Sequence, residues 1–220
     1  MKRVERLAEA TAPDGTVLTL TRHDREYSIR VAGVELMSTR RHHSEDRLAE
    51  LVCAELGEGA RVAIGGLGLG FTLRAALRAL PADARVVVAE IVGEVIEWNR
   101  DPAYPLAADA LADPRVELVH DDVANVLRAG RGTFDGIMLD VDNGADPLTN
   151  AANARLYRRA GIDMAVAALR PGGRLAYWSA YDDLRFADTL RRAGLTVDVI
   201  RVRAHDTTGP WHTIFVGTRR

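Results

Sequence analysis

The distribution of hydrophobic and polar positions divides the chain into two parts. Residues 15–38 contain several short runs in which apolar and polar residues alternate, with polar or glycine breaks between them. This alternation is typical of short antiparallel strands. An apolar stripe at helical spacing follows over residues 45–56, and we expect Ser44 to cap this helix and Gly57 to end it.

From residue 61 onward, strand-like runs alternate strictly with helical patterns. The predicted strands are 61–65, 85–90, 116–119, 134–140, 174–178, 196–202 and 211–217. The predicted helices lie at about 70–80, 92–100, 123–129, 153–169 and 183–193. Such alternation implies right-handed crossovers and a mostly parallel sheet with helices on both faces. The last strand follows a short turn and is expected to run antiparallel.

These elements predict an α/β, Rossmann-like fold with a seven-stranded sheet. We expect a small N-terminal β-hairpin unit at 1–43, followed by a Rossmann-like domain at 44–220. Because so small a β-unit buries little on its own, it should pack on the main domain or on a second subunit.

Composition narrows the class of protein further. The chain has 220 residues, 47% of them hydrophobic and 27% charged, which is enough apolar material for a real core. A single cysteine, Cys53, excludes a disulfide framework and favours a reducing cytoplasm. The charged first ten residues do not resemble a signal peptide, and no apolar run approaches the ~20 residues of a membrane span.

The formal net charge of −2 conceals an uneven distribution. Residues 89–150 hold 13 acidic and 4 basic side chains. An acidic segment argues against a nucleic-acid groove there and suits a cationic substrate or a ribose-bearing cofactor. The adjacent His42 and His43 are interpreted as solvated loop residues, so no metal site is expected.

A glycine-rich loop joins the first strand of the alternating series to its helix. Gly65, Gly66, Gly68 and Gly70 allow a tight turn, and the free N–H groups of the helix start can meet polar groups of a ligand.

Acidic residues follow the next three strands. Glu90 ends the second strand, 20 residues after Gly70, where a carboxylate can accept hydrogen bonds from ribose hydroxyls. Asp121 and Asp122 follow the third strand, where they can recognise an adenine amino group or cap the next helix. Asp140 ends the fourth strand. Since ligands of open α/β sheets sit outside the carboxyl ends of the strands, we expect all of these residues in one crevice.

Aromatic residues cluster at the end of the fifth strand. Tyr177, Trp178 and Tyr181 can wall a substrate pocket, although aromatic strand residues usually belong to the core.

At these motifs the sequence resembles the spermidine synthase-like family of class I S-adenosylmethionine-dependent transferases, which have the class I methyltransferase fold. The resemblance covers residues 15–218 and is carried by four segments: Ile64–Gly70, Ala89-Glu90-Ile91, 114–122 and Leu169-Arg170-Pro171-Gly172-Gly173.

The resemblance implies a homodimer built partly through the N-terminal strands. It also implies ribose binding by Glu90, adenine recognition by Asp122 and action on an amine nucleophile by Asp140, with Ile91 and Val123 beside the cofactor. The residues expected at the substrate are His43, Glu45, Asp142, Asn143 and Tyr181.

One departure from the family affects the predicted reaction. The aminopropyltransferases carry an aspartate in the glycine loop where this sequence has Gly68. A loop without an acid suits the carboxylate of intact S-adenosylmethionine, so the sequence favours methyl transfer to a small acceptor, which can be a cationic amine. Aminopropyl transfer from decarboxylated S-adenosylmethionine is the first alternative. A non-catalytic nucleoside-binding or scaffold protein is the second, and a nicotinamide dehydrogenase fits the strand pattern less well.

Overall fold

The computed structural model describes residues 4–141, 153–205 and 208–220. Its first part is a four-stranded antiparallel sheet in the order β1-β2-β3-β4. These strands are Glu5–Thr11 (β1), Val17–His23 (β2), Glu26–Val31 (β3) and Val34–Ser38 (β4). The alternating pattern of residues 15–38 therefore accounts for β2 to β4, whereas β1 was not predicted.

The second part is a seven-stranded sheet with helices on both faces. Its strands are Arg61–Gly65 (β5), Arg85–Glu90 (β6), Val116–His120 (β7), Phe134–Leu139 (β8), Leu169–Ser179 (β9), Leu195–Arg203 (β10) and Trp211–Arg219 (β11). The helices are His43–Cys53 (α1), Phe71–Ala79 (α2), Gly93–Arg100 (α3), Ala108–Leu111 (α4), Val123–Ala129 (α5), Arg159–Ala168 (α6) and Leu184–Arg192 (α7), and a 3-10 helix spans Asn153–Tyr157.

The strands of the large sheet lie in the order β10-β11-β9-β8-β5-β6-β7. Strands β9, β8, β5, β6 and β7 pair in parallel. Strand β11 lies between β9 and β10 and pairs antiparallel with both. The predicted mostly parallel sheet with a C-terminal antiparallel strand is therefore confirmed, and the carboxyl ends of β9 to β7 form one continuous edge.

Three local predictions were wrong. Ser44 does not cap α1, because it lies inside the first turn and His42 occupies the cap position without a side-chain cap. The helix predicted at 153–169 is two helices, since Arg158 has an extended conformation between them. Strand β9 starts five residues early at Leu169, with a register shift in its pairing to β8.

Most of the apolar side chains of the central strands are buried between the sheet and its helices. Cys53 belongs to this core and is fully buried on α1. In the described part of the chain, no helix is long and apolar enough to cross a membrane.

Candidate functional site

A cavity of about 1000 Å³, its open mouth included, lies along the carboxyl edge of the large sheet. The ends of β5, β6, β7, β8 and β9 form its floor. Apolar residues of the N-terminal sheet form the opposite wall: Ala12, Leu18, Ile29, Leu36 and Met37. The small sheet thus covers the site that the large sheet builds.

The glycine loop between β5 and α2 needs its glycines for steric reasons. Gly66 has a φ of +91°, and a Cβ there would lie 2.3 Å from the carbonyl oxygen of Asp140. Gly68 and Gly66 line the cavity, whereas Gly65 ends β5 and Gly70 precedes α2 in the left-handed conformation, with a φ of +80°. Only glycine adopts this sequence of conformations without strain.

The carboxylate of Glu90 is buried at the end of β6 and is held by the backbone. Its Oε2 accepts from the N–H of Leu67 and its Oε1 from the N–H of Val92, both at 2.9 Å. Burial raises the pKa of Glu90, and these backbone donors oppose the rise. Glu90 and Ile91 both line the cavity, as predicted.

The two aspartates after β7 have different roles. Asp122 caps α5 by accepting from the N–H of Ala124 at 2.8 Å, and its other oxygen pairs with Arg155. Asp121 is exposed and accepts from the side chain of Asn125 at 2.8 Å, which lowers its pKa. Both aspartates and Val123 line the cavity, so the capping interpretation of Asp122 holds while its predicted contact with adenine stays a prediction.

Asp140 follows β8 and is enclosed by protein but keeps some surface toward the cavity. Its Oδ2 accepts from the hydroxyl of Thr72 at 2.7 Å. Burial raises the pKa of Asp140 to about 6, and the Thr72 hydrogen bond opposes this.

Glu45 lies in the first turn of α1 and reaches the same cavity. It is buried, and its Oε2 accepts a hydrogen bond from Ser44. Burial raises its pKa to about 8, and the charge of Asp140 adds to the rise. The cavity therefore holds two carboxyl groups that affect each other's ionisation, from segments almost 100 residues apart.

The remaining predicted substrate residues are not brought together in this way. His43 begins α1, donates its backbone N–H to the carbonyl of Ala204 and does not line the cavity. Tyr181 is 62% exposed beyond the end of β9. Asp142 and Asn143 lie outside the described residues.

Several residues of the site were missed or were assigned to the core. Trp178 lines the cavity, while Tyr177 is fully buried in the core. Ser44, Thr72 and His212 hold or surround the carboxyl groups. For Trp178 the sequence left the pocket and the core interpretations open, and the structure places it just before the last residue of β9, at the cavity.

No protein-family model matches the chain. It is 37% identical over 187 residues to the polyamine aminopropyltransferase of Corynebacterium efficiens. This alignment covers 79% of the chain and 34% of the relative. Over 93 residues it is 39% identical to the ribosomal RNA small subunit methyltransferase H of an Azoarcus species, which covers 40% of this chain and 30% of that protein. The chain thus spans about a third of the length of these relatives.

Among solved structures, spermidine synthase from Thermotoga maritima superposes with a TM-score of 0.79 and 18% identity, covering 98% of this chain and 73% of that one. Apart from the methyltransferase, the relatives and structural neighbours found are aminopropyltransferases or spermidine synthases. The resemblance stated from the motifs is therefore confirmed, and so is the fold. Between the predicted reactions, the comparisons support the aminopropyl alternative and do not support methyl transfer.

Proposed function

We propose that this chain is an enzyme that transfers the aminopropyl group of decarboxylated S-adenosylmethionine to a small primary amine. The similarity to aminopropyltransferases over 79% of the chain supports this reaction class. The choice of cofactor rests on the acidic side chains that line the cavity.

Every ionisable side chain among the described residues that line the cavity is a carboxyl group. These side chains are Glu45, Glu90, Asp121, Asp122 and Asp140. Both forms of the cofactor carry an ammonium group that such a lining attracts, but only intact S-adenosylmethionine also carries a carboxylate, which the lining repels. The glycine loop has Gly68 where the aminopropyltransferases carry an aspartate, but the surrounding walls of the cavity supply other carboxyl groups. The lining as a whole therefore favours the decarboxylated cofactor, and the argument for methyl transfer no longer holds.

The nucleoside end of this cofactor fits the edge formed by β5, β6 and β7. Glu90 accepts hydrogen bonds from backbone N–H groups around the end of β6 and lines the cavity, where its carboxylate can also meet a ribose hydroxyl. The glycine loop brings backbone close to the ligand without side-chain obstruction. Bound there, the sulfonium cofactor supplies an electrophilic carbon.

Asp140 is the proposed proton acceptor. When the amine nitrogen bonds to the carbon beside sulfur, the carbon–sulfur bond breaks, its electron pair stays on sulfur and methylthioadenosine leaves. The amine then carries an extra proton. Because its pKa is raised to about 6, Asp140 is mostly ionised at neutral pH and yet is a stronger base than an ordinary aspartate.

The test combines binding with product analysis. Calorimetry should give tighter binding of decarboxylated than of intact S-adenosylmethionine. Incubation with the decarboxylated form and 1,4-diaminobutane should yield methylthioadenosine and an aminopropylated amine, detected by mass spectrometry. Preference for the intact form together with a methylated amine would return the assignment to methyl transfer. Binding without product over a panel of amines would favour a non-catalytic protein.

A further inference from the structure

A buried asparagine lies behind the glycine loop. Asn99, on α3, has no exposed surface and does not line the cavity, although Val95, one turn earlier on the same helix, does. The other buried side chains of α3 are apolar: Val95, Ile96 and Trp98. Burying a side-chain amide is costly unless its hydrogen bonds are made, so the partners of Asn99 indicate what it does.

The amide of Asn99 joins three segments of the chain. Its Nδ2 donates to the carbonyl of Gly68 in the glycine loop and to the carbonyl of Val95 on its own helix, both at 2.8 Å. Its Oδ1 accepts from the N–H of Ala107, which precedes α4, at 3.2 Å. Both amide protons and the amide oxygen are therefore used.

The bond from Asn99 fixes a loop that has few side chains of its own to hold it. Gly66 and Gly68 have φ values of +91° and +52°, and glycine has more conformational freedom than any other residue. One side of the loop is held by Glu90, which accepts from the N–H of Leu67 at 2.9 Å. Among the described residues, Asn99 is the only side chain that donates to the carbonyl of Gly68, so it holds the other side.

Asn99 also acts on Gly70, through Ala107. A Cβ at Gly70 would lie 2.3 Å from the Cβ of Ala107, so Ala107 packs directly against the glycine that precedes α2. Arg74 of α2 donates to the neighbouring carbonyl of Leu106, which gives this segment a second attachment. Loss of the Asn99 amide should therefore release the loop and leave α4 attached.

We propose that Asn99 is a positioning residue of the cofactor site, which holds the carbonyl of Gly68 and the packing of Ala107 on Gly70 and so keeps the glycine loop in the conformation that receives the nucleoside. Its importance for the reaction rests on the proposed function. Its hold on the loop does not, because that follows from the hydrogen bonds alone.

Asn99→Leu tests this role, because leucine is of similar size but makes no hydrogen bond. Calorimetry should show that the affinity for methylthioadenosine falls by about tenfold or more. Thr133→Val is the matched control, since Thr133 also donates to a backbone carbonyl, that of Gly130, but lies just before β8 at the end of that strand remote from the cavity. Its affinity should stay within about twofold of the wild type.

Amide hydrogen exchange, measured by NMR on isotope-labelled protein, gives a readout that a merely structural role would not move. The N–H of Leu67 donates to Glu90 and that of Gly70 to the carbonyl of Leu67, so both should be protected in the wild type. In Asn99→Leu they should exchange about tenfold faster or more, relative to the amides of β5 and β6. A general loss of stability would instead accelerate loop and strands together.

Asn99→Ser covers the case in which Asn99→Leu does not fold, as judged by the loss of cooperative thermal unfolding. A serine hydroxyl on a helix can donate to the carbonyl four residues earlier, here that of Val95, but it is too short to reach Gly68. The same changes in methylthioadenosine affinity and in loop exchange are expected.

The outcomes separate the role of Asn99 from the proposed function. Faster loop exchange together with weaker methylthioadenosine binding supports the positioning role. Unchanged loop exchange overturns it, and so does unchanged affinity or an equal loss of affinity in Thr133→Val. If the wild type binds neither methylthioadenosine nor either cofactor form, the proposed function fails. Faster loop exchange then still supports the hold of Asn99 on the loop, and unchanged exchange overturns it.

Discussion

The two ends of the cavity are built in different ways. At the nucleoside end, backbone N–H groups within 25 residues of Glu90 satisfy its carboxylate, and Asp122 caps the helix that follows it directly. At the acceptor end, Glu45 and Asp140 come from α1 and β8, and a serine–histidine contact that spans 168 residues holds Glu45. Local chain geometry therefore fixes one end, whereas tertiary packing fixes the other.

The difference also concerns charge. Backbone donors oppose the rise that burial causes in the pKa of Glu90, whereas Glu45 and Asp140 have mainly hydroxyl partners and the charge of Asp140 adds to the rise in the pKa of Glu45. A buried pair of carboxyl groups without a cation is costly. We therefore expect the nucleoside end to be preformed and the acceptor end to gain the most from a bound ligand.

The largest expected effect is a loss of catalytic activity caused by a change at the acceptor end of the cavity alone. Asp140→Asn keeps the shape of the side chain but removes the proton acceptor, so turnover should fall by about 100-fold or more. The affinity for methylthioadenosine, measured by calorimetry, should stay within about twofold, because the nucleoside end is untouched. Asp163→Asn, which disturbs only a surface pair with Arg159, is the control. Full turnover in Asp140→Asn would show that the acceptor end does not use this carboxylate.

The next effect tests whether the nucleoside end depends on backbone geometry. Gly66→Ala should destabilise the fold by about 3 kcal/mol, since the added Cβ meets the Asp140 carbonyl and the φ is positive. Gly59→Ala also has a positive φ but meets open space, so it should cost about 1 kcal/mol. Urea denaturation measures both values. Equal costs would mean that the close approach to Asp140 is unimportant.

The pH dependence of stability tests the charge difference between the two ends. Glu45 has a pKa of about 8 when folded and about 4.5 when unfolded, so between these values the folded state keeps a proton that the unfolded chain has lost. Stability should therefore fall as the pH rises toward and through 8, and Glu45→Gln should flatten this decline. His212 acts on the acid side, because its lowered pKa costs stability as the pH falls from about 6.5 through 4.

Thermal unfolding from pH 4 to pH 9 measures these slopes, with Glu50→Gln as the control for the loss of a surface glutamate. A wild-type protein whose melting temperature does not change between pH 6 and pH 8.5 would contradict the proposed ionisation of the pair.

The smallest effect concerns the two aspartates after β7. Asp122→Ala removes the cap of α5 and should cost about 1 kcal/mol. Asp121→Ala should cost less, because Asp121 is exposed and bonds only to its neighbours. Chemical denaturation of both variants gives the comparison. A larger loss for Asp121 would reverse the assignment of the cap.

The sequence was sufficient to predict the parts of the site that depend on local order. Strand–helix alternation gave the parallel sheet, and the positions of Gly66, Glu90 and Asp140 at strand ends placed them at one edge. The hydrogen bond between Asp122 and the N–H of Ala124 followed from the capping preference of aspartate. In each case a local sequence pattern, either strand–helix alternation or a residue at a strand or helix end, is sufficient for the prediction.

The acceptor end could not be predicted in the same way. Nothing in the spacing of Ser44 and His212 indicates that they meet, because the contact depends on how α1 packs beside β11. The role of Trp178 was hidden because core and pocket aromatics have the same pattern on a strand. The domain boundary at residue 43, the homodimer and the roles of Asp142 and Asn143 stay predictions.

The position of β11 has a consequence for how the protein is made. This strand is synthesised after β9 and β10 and then inserts between them. On the ribosome, the facing edges of β9 and β10 therefore have no partner until residues 211–219 emerge, and unpaired strand edges are prone to aggregation. His212, which contacts Ser44 beside Glu45, lies on the same strand and is synthesised with it. Nascent chains that have completed α7 should still lack both a closed sheet and a supported Glu45, and so they should need chaperone protection until translation has passed β11.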